Sequence, residues 1–286
     1  MNISIIGGDL RILKLANMLS DDGNNILTYG LEKSNDIIQQ IKSDSIQQCI
    51  EFAEVILSSI PLSKDKIYVN APFSKENIQI STLSNELINN NTRFKSKIKF
   101  IAGNIPKEQF ASAKIDVIDL LENESLTISN AIPSAEGAIQ IAMEESLKTI
   151  HGSNVLIMGF GRIGKILSKM LNGIGANVFC EARKATDIAW INAYGYSAIE
   201  LNNLDSQLHK FDIIFNTIPF VLLNEQKLKL LKKDCLIIDL ASKPGGVDFE
   251  SAQKLGIKTN WALGLPGKVA PETAAEYIKN SINNIL

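Results

Sequence analysis

Three glycines, Gly159, Gly161 and Gly164, stand at the spacing G-x-G-x-x-G between an apolar run, Asn154 to Met158, and a segment of helical period that starts at Arg162. Each meets a separate need: a turn out of the strand, close approach of backbone to a pyrophosphate, and close seating of the helix on the sheet. The chemistry offered is anion capture, because the N–H groups and the positive dipole end of a helix start face the phosphate. Gly159, Phe160, Gly161, Arg162, Ile163 and Gly164 are therefore the candidate dinucleotide turn. With 18 glycines in the chain an isolated match carries little weight. Its place between a strand and a helix, with a second strand following at the expected distance, is what raises it above a plain tight turn.

That second strand ends in Glu181-Ala182-Arg183-Lys184. Ala182 falls where an acid would accept hydrogen bonds from the adenosine ribose. The forked donors of Arg183 and the ammonium of Lys184 suit a 2'-phosphate, which makes NADP the expected coenzyme. Strand alternation turns Glu181 to the face opposite Ala182; a Glu181 turned into the ribose pocket would instead favour NAD. A solvated helix start is the structural alternative for the two cations. Two later strands end in polar loops, "FNTIPF" and "DLASKPGG", and contribute Thr217, Pro219 and Ala241 as further coenzyme contacts at the same predicted sheet edge.

Acid–base groups are scarce. The only histidines, His151 and His209, have no acid at a telling spacing, so the imidazole–carboxylate pair that a 2-hydroxyacid dehydrogenase uses is poorly supplied. Glu136 is the best placed acid and Ser134 a candidate hydroxyl donor, both at the start of a helix expected from Pro133; capping and dipole roles explain them equally well. For an anionic substrate the candidates are Arg11, in the first turn after "IIGGD", together with Ser134, Lys243 and Lys268. Catalytic roles fall to Glu136, Ser134 and Lys268. The three cysteines, Cys49, Cys180 and Cys235, are scattered without a CxxC, which argues against both a disulfide framework and a zinc site. No metal is expected.

The elements that must position these groups follow from hydrophobic period. Apolar runs near 2–6, 25–29, 54–58, 66–70, 98–102 and 114–119 read as strands separated by helical stretches, and a second series runs near 154–158, 176–180, 195–199, 212–216, 235–239 and 257–261. Between them "SAEGAIQIAMEESLKTI" reads as one helix, opened by Pro133 and stopped at His151-Gly152. The Asn89-Asn90-Asn91 cluster reads as a loop. The tail "APETAAEYIKNSINNIL" reads as a helix able to return to the first domain. The expected architecture is α/β: two Rossmann-like, doubly wound parallel-sheet domains with an interdomain cleft, residues 1–132 plus 268–286 for substrate and 133–267 for NADP.

Composition excludes other classes. At 286 residues, 45% hydrophobic, 21% charged and net charge −2, the chain has the size of a two-domain enzyme and no basic footprint for nucleic acid. No run approaches the roughly 18 apolar residues of a membrane span. The start of the chain has no basic or long apolar leader, so the expectation is a cytoplasmic protein acting on a small molecule.

"IIGGDLRILKLANML", "NAIPSAEGAIQ", "GFGRIGKILSKML", "LIIDLASKPGGVDF" and "ALGLPGKVAPETAAEYI" together span almost the whole chain and resemble the family of bacterial dipicolinate synthase A-subunits. The glycine turn is common to many dehydrogenases; the other motifs are more specific. That resemblance implies a two-lobed dehydrogenase of the alanine and 2-hydroxyacid dehydrogenase kind. It implies NADP-dependent oxidation of dihydrodipicolinate to dipicolinate (pyridine-2,6-dicarboxylate) during endospore formation in the mother cell. It implies, too, a partner: the flavoprotein-like B-subunit of dipicolinate synthase. A homo-oligomer also fits. Because the product ring gains aromaticity, a strong general base is less needed and holding the reacting carbon against the nicotinamide becomes the main task. Two alternatives stay open: an alanine or 2-hydroxyacid dehydrogenase-like enzyme, and a non-catalytic NADP-binding scaffold.

Overall fold

Runs such as Ile3-Ser4-Ile5-Ile6 and Val155-Leu156-Ile157-Met158 are buried at every position. A strand enclosed on both faces needs helices on both, and a parallel sheet with crossover helices provides them. The computed structural model describes residues 1–34, 41–90, 98–113 and 115–286. The chain divides into two compact units, Met1–Ser129 with Ala270–Leu286, and Asn130–Val269. The first holds β1 (Asn2–Ile6), β2 (Asn25–Tyr29), β3 (Ile41–Lys42), β4 (Val55–Ser58), β5 (Lys99–Ala102) and β6 (Asp116–Asp119). The second holds β7 (Asn154–Met158), β8 (Asn177–Glu181), β9 (Ser197–Ile199), β10 (Ile213–Asn216), β11 (Leu236–Asp239) and β12 (Lys258–Trp261).

Among the described residues both sheets are parallel, ordered β3-β2-β1-β4-β5-β6 and β9-β8-β7-β10-β11-β12. Counted from its own first strand, each has the 3-2-1-4-5-6 order of the Rossmann fold, whose ligand crevice lies where the order reverses, at β1/β4 and β7/β10. Two doubly wound Rossmann-like units are thus present.

Helices follow in chain order: α1 (Leu10–Asp21), α2 (Ile46–Phe52), α3 (Ile80–Asn89), α4 (Lys107–Phe110), α5 (Glu124–Glu145), α6 (Arg162–Ile174), α7 (Ala185–Ala193), α8 (Glu225–Leu228), α9 (Phe249–Leu255), α10 (Leu265–Val269) and α11 (Pro271–Asn283). Two buried clusters cover the faces of each sheet. In the second unit one joins Val178, Cys180 and Ala182 to Leu167 and Leu171 of α6, and the other joins Leu156 and Met158 to Ile199, Leu204 and Leu208. The tail helix α11 packs Ala275, Ile278 and Ile282 into the core of the first unit and ties Lys279 to Asp22 at 2.7 Å.

Three expectations need correction. The stretch near 66–70 is no sheet strand: Val69 and Tyr68 make only isolated bridges, to Ser63 and Gln79, after a left-handed Lys66 at φ 69°. The edge place goes to Ile41–Lys42, two exposed residues whose pattern shows no alternation. The long helix starts at Glu124, with Asn123 accepting the Leu126 N–H at 3.1 Å, and it carries Pro133 in its interior. Burial of Leu126 and Ala131 outweighs the proline's preference for a first turn. That helix ends at Glu145, short of Gly152. Asn89 closes α3 and Asn90 caps it, whereas Asn91 lies outside the described residues.

Candidate functional site

The turn from β7 to α6 shows why each of its glycines is there. Gly159 has φ +92°, and a Cβ on it would lie 2.5 Å from Thr217 Oγ1. A Cβ on Gly164 would lie 2.2 Å from the Gly159 carbonyl, so the third glycine lets the helix cross the turn. Gly161 is different. A Cβ there would meet nothing within 4 Å, and Gly161 caps α6 without any side-chain hydrogen bond. The place beside Gly161 at the start of α6 is therefore open, and an open helix start suits a pyrophosphate. Phe160 is buried in the core, with Lys165 Nζ 5.8 Å from its ring, so it anchors the turn and leaves the backbone to meet a ligand. Arg162 is exposed and Ile163 half-buried.

At the end of β8 the alternation holds. Ala182 is buried with Cys180 and Val178 on the α6 face. Glu181 stands in register with Met158 and Ile199 on the opposite face, fully buried, and neither carboxyl oxygen has a hydrogen-bond partner. Burial pushes its pKa above the usual carboxylate range; the Arg183 charge and the Gly159 N–H act the other way. That N–H donates to the Glu181 backbone carbonyl, at 3.1 Å. Arg183 and Lys184 are exposed just beyond the strand.

Two buried polar residues organise the neighbouring loops. Asp239 Oδ1 accepts from Asn216 Nδ2 at 2.7 Å and from the Ala241 N–H at 3.0 Å, and Oδ2 accepts from the Gly246 N–H at 2.7 Å. Asn216 Nδ2 also donates to the Ile218 carbonyl at 3.0 Å. This pair locks the ends of β10 and β11 together, and Gly246 fits because a Cβ there would lie 2.1 Å from Asn216 Nδ2. Sequence reasoning placed both residues at the start of edge loops but gave neither a role; the signal was a polar residue closing each of two apolar strands. Thr217 Oγ1 donates to the Met158 carbonyl at 2.9 Å, and the Ala241 carbonyl accepts from Trp261 Nε1 at 2.9 Å. Thr217 and Ala241 thus shape the loops, while Pro219 and Lys243 are exposed on them.

In the second unit the turn, Arg183, Lys184, Thr217, Pro219, Ala241 and Lys243 all sit at carboxyl ends of parallel strands, hence along one sheet edge. Glu136 does not join them there. It lines a groove of about 610 Å³ with Gln140, Met143, and Met170 and Ile174 from the second half of α6, away from the phosphate turn. With α5 starting at Glu124, Glu136 and Ser134 are interior helix residues, so the helix-start argument for both fails. Ser134 donates its hydroxyl to the Asn130 carbonyl at 2.8 Å. The motif around them is a packing device: Ala135, Ala138 and Ala142 are fully buried, and Gly137 admits Leu265 and Val269. Lys268 is exposed on α10.

In the first unit Arg11 is no surface residue. It is buried, and Nη2 bonds Asp9 Oδ2 at 2.7 Å and the Ile60 carbonyl, with Nε on Asp9 Oδ1 at 3.0 Å. The charge expected to await a substrate carboxylate is already matched by Asp9.

Residues 2–121 match the family model of the N-terminal domain of the dipicolinate synthase A-subunit. The whole chain is 31% identical to the dipicolinate synthase A-subunit of Bacillus subtilis strain 168, covering 100% of this chain and 96% of that protein. The chain belongs to the dipicolinate synthase A-subunit family. Crystal structures of such A-subunits from Bacillus halodurans and Bacillus subtilis share its fold, with TM-scores of 0.87 and 0.86 at 29% and 31% identity. Each covers 99% of this chain, which in turn covers 96% and 94% of theirs. Residues 116–246 match the NAD binding domain of D-isomer specific 2-hydroxyacid dehydrogenases. In this member of the dipicolinate synthase family the glycine turn thus belongs to a nicotinamide-dinucleotide domain of the dehydrogenase class. Among the described residues no helix is long and apolar enough to cross a membrane.

Proposed function

We propose that this chain is the NADP-dependent component of an oxidoreductase that converts dihydrodipicolinate to dipicolinate, working with a B-subunit in the mother cell of a spore former. The observation that carries the coenzyme choice is the end of β8: a small, buried Ala182 where a ribose-binding acid would stand, followed by exposed Arg183 and Lys184. A diphosphate at the start of α6 and a 2'-phosphate at Arg183 would lie along one sheet edge. The unpartnered Glu181 is turned to the other face and its oxygens are closed to solvent, which supports a coenzyme site that does not use it as a ribose ligand.

When bound, the oxidised nicotinamide supplies a hydride acceptor. The chain's own task is then to hold the ring carbon that gives up the hydride and to exclude water. Asn216 and Asp239 do the holding indirectly, by fixing the loops that carry Thr217, Pro219 and Lys243. The proton released with the hydride needs no strong base, because ring aromatisation drives its departure; this agrees with the scarcity of histidine in the sequence. Lys243 and Lys268, both exposed cations of the second unit, are the proposed partners of the substrate carboxylates.

Fluorescence titration of the purified chain with NADPH and NADH tests the coenzyme, with NADPH expected to bind at least tenfold more tightly. Assay of dipicolinate formation by the chain alone, and with the B-subunit, tests the reaction. A chain that binds neither nucleotide, or that reduces pyruvate with NADH, overturns the proposal.

A further inference from the structure

Glu181 is a buried acid that the proposed function leaves without a task. Both of its oxygens are shielded from solvent and unpartnered. Its strand neighbours in register are Met158 and Ile199, and the cluster on that face continues through Leu204 and Leu208. These residues of β7, β9 and the segment beyond bring it no titratable or charged side chain. Among the described residues the charge that acts on it is that of Arg183, two residues further along the chain and just beyond the end of β8. A carboxylate in such a place is costly, whereas a neutral carboxyl costs much less.

Arg183 therefore faces two claims. If Glu181 is ionised, its negative charge draws on the guanidinium and repels any phosphate brought beside it; Glu181 itself is shut off from water, while the exposed Arg183 is screened on its solvent side. If Glu181 is neutral, the guanidinium is left wholly to the phosphate. We propose that Glu181 sets coenzyme choice through its own proton: a 2'-phosphorylated dinucleotide binds the form in which Glu181 is neutral, while the unphosphorylated dinucleotide binds both forms alike. This rests on the reading of Arg183 as the 2'-phosphate site.

The linkage is reciprocal. Protonation of Glu181 raises affinity for the phosphorylated coenzyme, and that coenzyme raises the proton affinity of Glu181 by the same factor. Affinity for NADPH should fall as pH rises through the range in which Glu181 ionises, by at most about tenfold per pH unit for a single proton. Burial moves that range upward from the ordinary carboxylate value. A phosphate monoester also titrates, near pH 6, but with the opposite sign, since its dianion should bind Arg183 more tightly. A variant lacking the carboxyl keeps the second effect and loses the first.

The test is titration of the full chain with NADPH and with NADH from pH 5.5 to 8.5, for the unaltered protein, Glu181→Gln and Glu181→Leu. Calorimetry in two buffers of different ionisation enthalpy counts protons. The expected result is an NADPH preference that declines with pH in the unaltered protein, relative to both variants, by tenfold or more across that window. Proton uptake on NADPH binding should also exceed that of the variants. Glu181→Leu suits the apolar surroundings and serves if Glu181→Gln folds poorly. Identical pH profiles and proton counts in the three proteins, with the NADPH preference intact, overturn the role of Glu181 alone. Absence of any NADPH preference in all three overturns the coenzyme reading and this inference with it.

Discussion

The two units close their first strand with similar turns, Gly7-Gly8-Asp9 and Gly159-Phe160-Gly161, on sheets of the same strand order, yet only the second leaves its helix start without a capping side chain. The backbone frames match: the Gly7 N–H bonds the Tyr29 carbonyl at 2.8 Å, and the Gly159 N–H bonds the Glu181 carbonyl at 3.1 Å. What differs is the filling. In the first unit Asp9 caps α1, accepting the Arg11 N–H at 3.1 Å, and places a carboxylate where a ligand anion would go. Ile12 stands at the place of the third glycine, and a Cβ on Gly8 would lie 2.5 Å from it. In the second unit Gly161 brings no side chain and Gly164 no Cβ. The Rossmann frame presents a helix start, and the first residues of the helix decide whether it remains available to an anion.

Giving the second turn the filling of the first should have the largest effect. Gly161→Asp places a capping carboxylate at α6, where φ is −83° and nothing obstructs a Cβ. Dinucleotide affinity should drop by about a hundredfold, near 3 kcal/mol, while thermal stability holds or rises as the new cap takes effect. Unchanged binding by calorimetry would break the comparison. Arg183→Ala should weaken NADPH by roughly 10- to 100-fold and leave NADH unaltered, measured by competition titration. Gly164→Ala, the step toward Ile12 of the other unit, should lower stability by about 1–3 kcal/mol in denaturant unfolding, because its methyl meets the Gly159 carbonyl.

The smallest effect concerns the residues that end the second strands, Tyr29 and Glu181. Glu181→Leu should stabilise the chain at pH 8 by about 1 kcal/mol, through removal of an unpaired buried carboxyl. The sign follows from the raised folded pKa: the ionisation cost is absent below the unfolded value of about 4.3 and grows as pH climbs through the folded one. The ionisation part of the gain should therefore vanish by about pH 4. An advantage equal at pH 4 and pH 8 would mean that packing, and not charge, is responsible.

Much of this was readable because it is local. Apolar runs bounded by turn residues located most strands, and the alternation Cys180-Glu181-Ala182 put each side chain on the observed face. Pro133 misled because its preference for a first turn is weaker than the burial available to residues 124–132. The helix-start argument for Glu136 and Ser134 fell with it. Lys66 to Asn70 read as a strand by composition, but two isolated bridges are all that the fold lets it form.

The sequence by itself determined the α/β class, the strand–glycine turn–helix unit and the placing of Glu181 and Ala182 on opposite faces, since these depend on spacing within a few residues and on strand period. Tertiary structure alone decided that Arg11 is claimed by Asp9 and the Ile60 carbonyl, and that Asp239 closes on Asn216. It also decided that Glu181 has no partner. The reason is physical: whether a charge or a donor is available is settled by residues brought beside it from elsewhere in the chain, and no local spacing encodes that meeting.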